Sequence, residues 1–463
     1  MTKYLLVFIM AGTMLAGYSQ ETGSIDDKTL SEIKTSILID DETQALMNAI
    51  TNNSIKKLAV NRDNEGKLNH YFSNKIDVKD ITDQKSSGRC WLFTGLNVMR
   101  PAIMDQYNIK QFRFSHNYSF FWDQFEKANL FLEAIIATSS KPLDDRTVDW
   151  LLKHPIGDGG QWTGVVNIVG KYGVVPVSAM PESENSENTA MMSRLLRRLL
   201  REDALTLREL SKRDINNQYL QKQKIKMLTD VYKVLVLCLG EPPDEFVWQY
   251  EDKDGNISEP RTYTPKSFYE DVVGINLGDY VMFMNDPVRP YYELYEIEYD
   301  RHMHEGGNWK YINLPMDEIK AFAKTSILAD QPMYFSCDVG KQLDSETGTL
   351  DLNNYDYDKL LGVSFGMNKE QRIKTYDSGS SHGMSLVGVN ILENGSIDKW
   401  LLENSWGAKK GHKGFLTMTD EWFSEYMFRL VIHKDYVDAK TLKILEKEPV
   451  MLPPWDPMFA PEE

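Results

Sequence analysis

One cysteine of this chain sits where its sulfur would be reactive. In ITDQKSSGRCWLFTGLNVM, residues 81–99, Cys90 falls between a glycine-containing turn and an apolar run that starts a helix. A thiol attacks a carbonyl only as thiolate, and the first turn of a helix favours the anion through its backbone N–H groups and dipole. A nucleophile also needs a base, a group that orients the base, and donors for the oxyanion. His382, in SSHGMSLVGVN, begins an apolar strand after a Ser/Gly loop and can take the thiol proton. Asn404, in LLENSWG, follows another strand, and its side-chain oxygen can accept from the imidazole and fix the tautomer. Trp406 stands just beyond it to shield that bond from water, and Trp91 supports the site from the helix side. Gln84, shortly before Cys90, can turn an amide N–H toward the oxyanion.

Taken alone, Cys90 reads as a small packed hydrophobe and His382 as a structural histidine. The ordered set of four is what carries chemistry. Cys90, Cys238 and Cys337 are too few and too scattered for a disulfide framework or a zinc site. His302, His304 and Glu305 lack further metal ligands and read as an exposed loop. No cofactor and no metal are implied.

Several elements must position these residues. Residues 28–80 read as a helical lead-in, with apolar spacing at Leu30, Ile33, Ile37 and Leu38. Residues 90–135 read as helices on a shared core, the first ended or kinked at Pro101. In AMMSRLLRRLLRE, apolar Met192, Leu195, Leu196, Leu199 and Leu200 alternate with an arginine stripe at Arg194, Arg197, Arg198 and Arg201, read as a solvated or subunit-contacting face. From residue 331 the texture is β: MYFSCDV, MSLVGVNI, KWLLENSW and GFLTMT are short runs bounded by Gly, Asn and Asp. The end, EPVMLPPWDPMFAPEE, is proline-rich and reads as an extended arm.

A chain of 463 residues, 42% hydrophobic, can bury a large core. Its 52 Lys and Arg against 68 Asp and Glu give a net charge of -16, which disfavours nucleic acid and anionic membranes. Lys3 followed by the apolar run Leu5 to Gly17, with small Gly17 and Ser19, reads as a signal peptide cleaved before Gln20, too short to span a membrane. Export to a periplasm or outside the cell follows, with a cytoplasmic location as the alternative.

Gln, then Cys-Trp at a helix start, then His at a strand start, then Asn-Ser-Trp-Gly, in that order, resembles the papain-like cysteine peptidases. Gly88-Arg89-Cys90-Trp91 departs from the usual Gly-Ser-Cys-Trp. Together with DGGQWTGVVNIVGKYGVVP, CDVGK, ENSWG, GHKGFLTMTDEWFSEY and LPPWDPM, it narrows the resemblance to the bleomycin hydrolase and aminopeptidase C family, over residues 30–463. His382 lies roughly 290 positions after Cys90, against about 130–150 in papain itself, and the surplus fits one insertion.

The resemblance implies an α+β papain-like fold. Its parts would be a signal peptide (1–19), a lead-in and helical half with Cys90 (20–175), and an inserted, mainly helical oligomerisation region (176–330). A β-barrel-like half with His382 and Asn404 (331–446) and a C-terminal arm (447–463) would complete it. It implies a cysteine aminopeptidase that removes N-terminal residues from peptides through a thioester, in a homohexamer whose sites face a channel. A papain-like endopeptidase is the alternative; a catalytically idle binding or nucleic-acid-binding relative is a further one, though all four residues are kept. In the resembling family the chain's own C-terminus blocks the non-primed side. Here the terminal carboxylate, Glu462 and Glu463 would meet a substrate's α-ammonium, and the Pro-Glu-Glu ending departs from the small apolar end of relatives.

Overall fold

The computed structural model describes residues 23–213 and 216–459. The proposed signal peptide and the carboxylates Glu462 and Glu463 lie outside them. The chain divides into two compact units, meeting in sequence at Val60 and Asn61.

In the first unit, Asp26 and Asp40 cap helices Asp27–Ser36 and Asp41–Asn52, each carboxylate accepting the backbone N–H three residues on, at 2.8 Å. Leu30, Ile33, Ile37 and Leu38 are exposed. The helical lead-in is shorter than its composition suggests: helix stops at Leu58, and residues 61–80 are irregular apart from the short strand Asn74–Lys75. The polar turn NRDNEG offers no apolar face to continue a helix.

In the second unit, helices α1 (Cys90–Gln106), α2 (His116–Ala137) and α3 (Trp162–Tyr172) form the helical layer. Every residue of α1 from Trp91 to Arg100 is buried, as expected of a largely apolar helix in the core. Pro101 does not end it. The proline costs one backbone bond, but Ile103 and Met104 in the turn beyond are buried, and their packing carries the helix to Gln106. Two long helices follow, α4 (Ala190–Ser211) and α5 (Asn217–Leu239), which pack on α2 and on each other. On α4, Met192, Leu196, Leu200 and Leu207 are buried, whereas Leu195 turns outward. Of the arginine stripe, Arg201 donates to the carbonyls of Leu152 and Lys153, binding its own chain.

The sheet runs β1 (Tyr280–Met284), β2 (Leu294–Ile297), β3 (Lys310–Asn313), β4 (Met333–Cys337), β5 (His382–Ile391), β6 (Ile397–Glu403), β7 (Phe415–Thr419), β8 (Met427–His433) and β9 (Val450–Leu452). Its order is β9-β2-β3-β1-β8-β4-β5-β6-β7, continued by two short strands, with Asn74–Lys75 added on β5, twelve strands in all. The path is open, since its two ends do not pair, so the barrel-like expectation becomes an open mixed sheet. The sheet draws strands from both sides of residues 330 and 447. β1 to β3 come from the segment read as a mainly helical insertion with short strands, and β9 comes from the arm, pairing parallel with β2. Their runs YVMFM, LYEI, KYIN and VML are too short to be separated from buried helix by periodicity alone.

A buried ion pair joins the two layers. Arg100 of α1 donates to Glu403 at the end of β6 and to the Asp80 carbonyl (2.8 Å). Burial pushes the Glu403 carboxyl up, and the Arg100 guanidinium opposes that. Removing one partner leaves the other charge buried and unmatched. Arg100→Ala is therefore expected to cost about 3–5 kcal/mol of stability, read as a lower urea midpoint with unchanged slope.

Candidate active site

Cys90 is the first residue of α1, and α1 lies across β5, the strand that His382 begins. Two observations bring the two residues to the same place. A Cβ built on Gly383, the neighbour of His382, would lie 3.3 Å from Oγ1 of Thr94, one helical turn after Cys90, and 3.2 Å from the Tyr334 hydroxyl. That phenol is pushed far above its ordinary range chiefly by burial, with the nearby Cys90 adding to the shift. The candidate site thus lies where the helix that Cys90 begins crosses the sheet.

Asn404 settles the imidazole. Its Oδ1 accepts the backbone N–H of Ser405 at 2.8 Å, which fixes which way the amide points. His382 Nε2 lies 2.8 Å from the same oxygen and must therefore donate, leaving the lone pair on Nδ1. Trp406 covers this bond, its ring centroid 4.7 Å from that of His382 and tilted by 30°. Burial pulls His382 down to about 4, with the Asn404 bond working against it. A neutral imidazole with its free lone pair on Nδ1 is a proton acceptor.

Gln84 ties the two layers. Its backbone N–H donates to the Ser405 carbonyl (2.9 Å), its Oε1 accepts from Ser405 Oγ (2.7 Å), and its Nε2 donates to the Ser87 carbonyl (2.7 Å). A primary amide has two N–H bonds. With Oε1 held by Ser405 and one N–H spent on Ser87, the second is the donor Gln84 can offer an oxyanion. Ser405 is the residue that reading by motif overlooked, although it is the serine of ENSWG.

The wall beside Cys90 is the loop 157–160. Asp158 accepts Gly88 N–H on its carboxylate (3.3 Å) and the Trp91 indole N–H on its carbonyl (2.7 Å), so the loop is fastened on both sides of Cys90. The same carboxylate accepts the hydroxyls of Thr189 and Ser193 at the start of α4. Behind the loop, Lys127 donates to Asp123 (2.8 Å) and to the carbonyls of Gly157 (3.0 Å) and Gly159 (2.6 Å). His302 donates from Nδ1 to Asp123 (2.5 Å) and meets the Trp91 ring edge-on at 4.7 Å. The exposed-loop reading holds for His304 and Glu305 and fails for His302, which is 3% exposed. Its place is made by glycine: a Cβ on Gly160 or Gly164 would come within 2.3 Å of the imidazole. The partner, Asp123, is too distant in sequence for local pattern to reveal the pair. Among the described residues no group of three His, Cys, Asp or Glu side chains is placed to hold a metal ion, and no helix is long and apolar enough to cross a membrane.

Comparisons with known proteins add to this geometry. Residues 24–459 match the family model described as Peptidase C1-like family. The chain is 42% identical to bleomycin hydrolase of Mus musculus over 403 residues, covering 84% of this chain and 88% of that protein. It is 38% identical to aminopeptidase C of Streptococcus thermophilus over 416 residues, covering 89% of this chain and 94% of that protein. Among solved structures, that of PepW from Lactobacillus rhamnosis superposes with a TM-score of 0.92 at 38% identity, covering 95% of this chain and 99% of that one.

Proposed function

The chain belongs to the Peptidase C1-like family and is a cysteine aminopeptidase, and from that premise we propose that Cys90, His382, Asn404 and Gln84 carry the reaction. Cys90 passes its proton to His382 Nδ1 and attacks the carbonyl carbon of the N-terminal residue. The oxyanion takes the second Gln84 N–H and the Cys90 backbone N–H, which lies outside the helix's own ladder of bonds. His382 then protonates the leaving amine, and the thioester remains on Cys90. Water, deprotonated by His382, attacks the thioester and regenerates the thiol. Asn404 keeps the ring in the tautomer that does this, through all steps. The observation that carries the reading is the His382–Asn404 bond with its fixed donor, because it dictates which ring nitrogen is basic.

The pH profile follows from the buried base. The productive form holds one proton between Cys90 and His382, and adding a second blocks it. With His382 drawn down to about 4, activity is present above that value and lost as pH falls through it. The acid limb of kcat/KM is expected at an apparent pKa near or below about 4, well under that of an ordinary imidazole, and a stopped assay from pH 3 to 8 measures it.

The arm sets which substrates enter. Support comes from its anchoring: Asp456 pairs with Arg289, Trp455 lies under Arg146 at 4.6 Å, Met458 is buried, and Phe459 meets Trp309 at 4.9 Å. An arm so held can deny long peptides the non-primed side. The test compares aminoacyl coumarylamides with their N-acetyl forms, before and after deletion of residues 459–463. Equal rates on free and blocked substrates in the parent enzyme would refute aminopeptidase specificity. The inserted helices α4 and α5 build a homohexamer; support comes from Met191, Leu195 and Leu205 on one and Ile225 and Leu237 on the other, all more than half exposed. Sedimentation of the full chain tests that assembly.

A further inference from the structure

Arg89, directly before Cys90, carries a full charge into the interior: its side chain is 0% exposed. Its carbonyl accepts the first helical N–H groups of α1, those of Leu92 and Phe93 (2.9 and 3.0 Å), while its side chain makes no cap bond. The guanidinium turns back instead. Nη1 donates to Glu182 Oε2 at 2.8 Å, and Nε donates to Ser87 Oγ at 3.0 Å. That hydroxyl donates in turn to the Gln84 carbonyl (2.6 Å), and the Ser87 carbonyl accepts the Gln84 side-chain amide (2.7 Å). A continuous chain of hydrogen bonds thus runs from Glu182 through Arg89 and Ser87 to the amide assigned to the oxyanion.

The far end of the chain is fixed as well. Glu182 Oε2 also accepts Ser186 Oγ (2.6 Å), and the Ser86 N–H donates to the Glu187 carbonyl (2.9 Å), so segment 182–188 grips the turn at two points. The guanidinium lies over the rings of Phe93 and Phe120, at 5.1 and 5.3 Å. His116, stacked on Phe93 at 3.6 Å, stands 3.8 Å from the other Glu182 oxygen. Burial holds that imidazole well below its ordinary range, and the Arg89 charge adds to this, so Arg89 is the cation that Glu182 answers. Stability does not account for the pair. Arg89 Nη2, Glu182 Oε1 and His116 Nε2 are buried without hydrogen-bond partners, and a buried ion pair so incompletely satisfied gains little over apolar side chains of similar volume. What the pair does supply is a fixed turn before Cys90.

We propose that Arg89, anchored by Glu182, is a positioning residue that aims the Gln84 amide at the oxyanion. The inference rests on the assignment of Gln84 as oxyanion donor above, and names what holds that donor in place. Ser405 fixes Oε1, and Ser87, itself held by Arg89, fixes one N–H; between them they orient the second. Without the grip of Arg89 the turn relaxes, and the donor no longer meets the charge that develops on the carbonyl oxygen.

The experiment uses the full-length enzyme, with leucyl coumarylamide for turnover and iodoacetamide for the reactivity of Cys90. Arg89→Lys keeps the charge beside Cys90 and loses the planar fork that reaches Glu182 and Ser87 at once. It is expected to lower kcat about 10- to 100-fold, since displacing a preorganised donor approaches the loss of one, with KM within about twofold of the parent's. Alkylation of Cys90 forms no oxyanion, so its rate should stay at the parent's, which a general disturbance of the start of α1 would not allow. In a Gln84→Ala background, which should itself lower kcat, Arg89→Lys should cost nothing further. Parent kcat in Arg89→Lys, additive losses in the double variant, or alkylation slowed in step with kcat would each overturn the inference and leave Gln84 as the donor. Gln84→Ala with the parent's kcat would overturn that assignment and the inference with it. If Arg89→Lys does not fold, Ser87→Ala decides: loss of the hydroxyl between Arg89 and Gln84 should lower kcat in the same pattern, and the parent's kcat there would refute the link.

Discussion

Cys90→Ser is expected to lower kcat/KM by about four orders of magnitude or more, in the range seen when a nucleophile is removed from a hydrolase acting as a unit with its base. The serine hydroxyl is far less acidic than a thiol, and a base drawn down to about 4 has too little affinity for a proton to ionise it. The fold should be untouched, because the exchange of sulfur for oxygen at the first position of α1 disturbs neither the buried residues from Trp91 onward nor the Arg100–Glu403 pair. An unchanged thermal midpoint with activity lost is the expected pair of results. Brief iodoacetamide treatment should mark Cys90 first, since Cys337 is fully buried and burial pushes the Cys238 thiol up, away from the reactive anion. Mass spectrometry that found either of those modified first, with turnover retained, would dismiss Cys90 as nucleophile.

His382→Ala is expected to cost about three to four orders of magnitude in kcat/KM, because both proton transfers, from the thiol and to the leaving amine, pass through one ring. Asn404→Ala removes only the orienting bond. The imidazole gains a charge during the reaction, and a hydrogen bond to a charged group is worth about 1.5–3 kcal/mol, so the expected loss is about 10- to 150-fold. The two losses should not add in the double variant, since without the ring there is nothing for Asn404 to orient. Purely additive losses would mean that Asn404 acts on something other than His382.

The four residues of the candidate site are legible because each belongs to a short run whose neighbours are dictated locally. Cys90 needs a helix start, His382 a strand start, and Asn404 a strand end, and pattern reading finds all three. What escaped reading depends on contacts between distant parts of the chain. His302 reads as a loop residue because its partner Asp123 and its glycine-lined place at Gly160 and Gly164 come from a helix, a loop and a second helix far upstream. The strands at 280–313 lie in a segment that reads as mainly helical with short strands, and what the sequence cannot show is that they join the sheet, because only pairing with distant strands decides that. Pro101 lies inside a helix that runs on to Gln106: intrinsic propensity is a weak prior against the packing of Ile103 and Met104 in the next turn.

Gln84 and Ser405 hold each other twice, backbone to backbone and side chain to side chain. Any fluctuation that parts the helical layer from the sheet has to break this pair, and it carries off the oxyanion donor and the residue beside Asn404 together. Catalytic competence is therefore more fragile than the fold. On gentle warming or in low denaturant, turnover should disappear while the tryptophans remain buried, and return at once on cooling because no core has to reassemble.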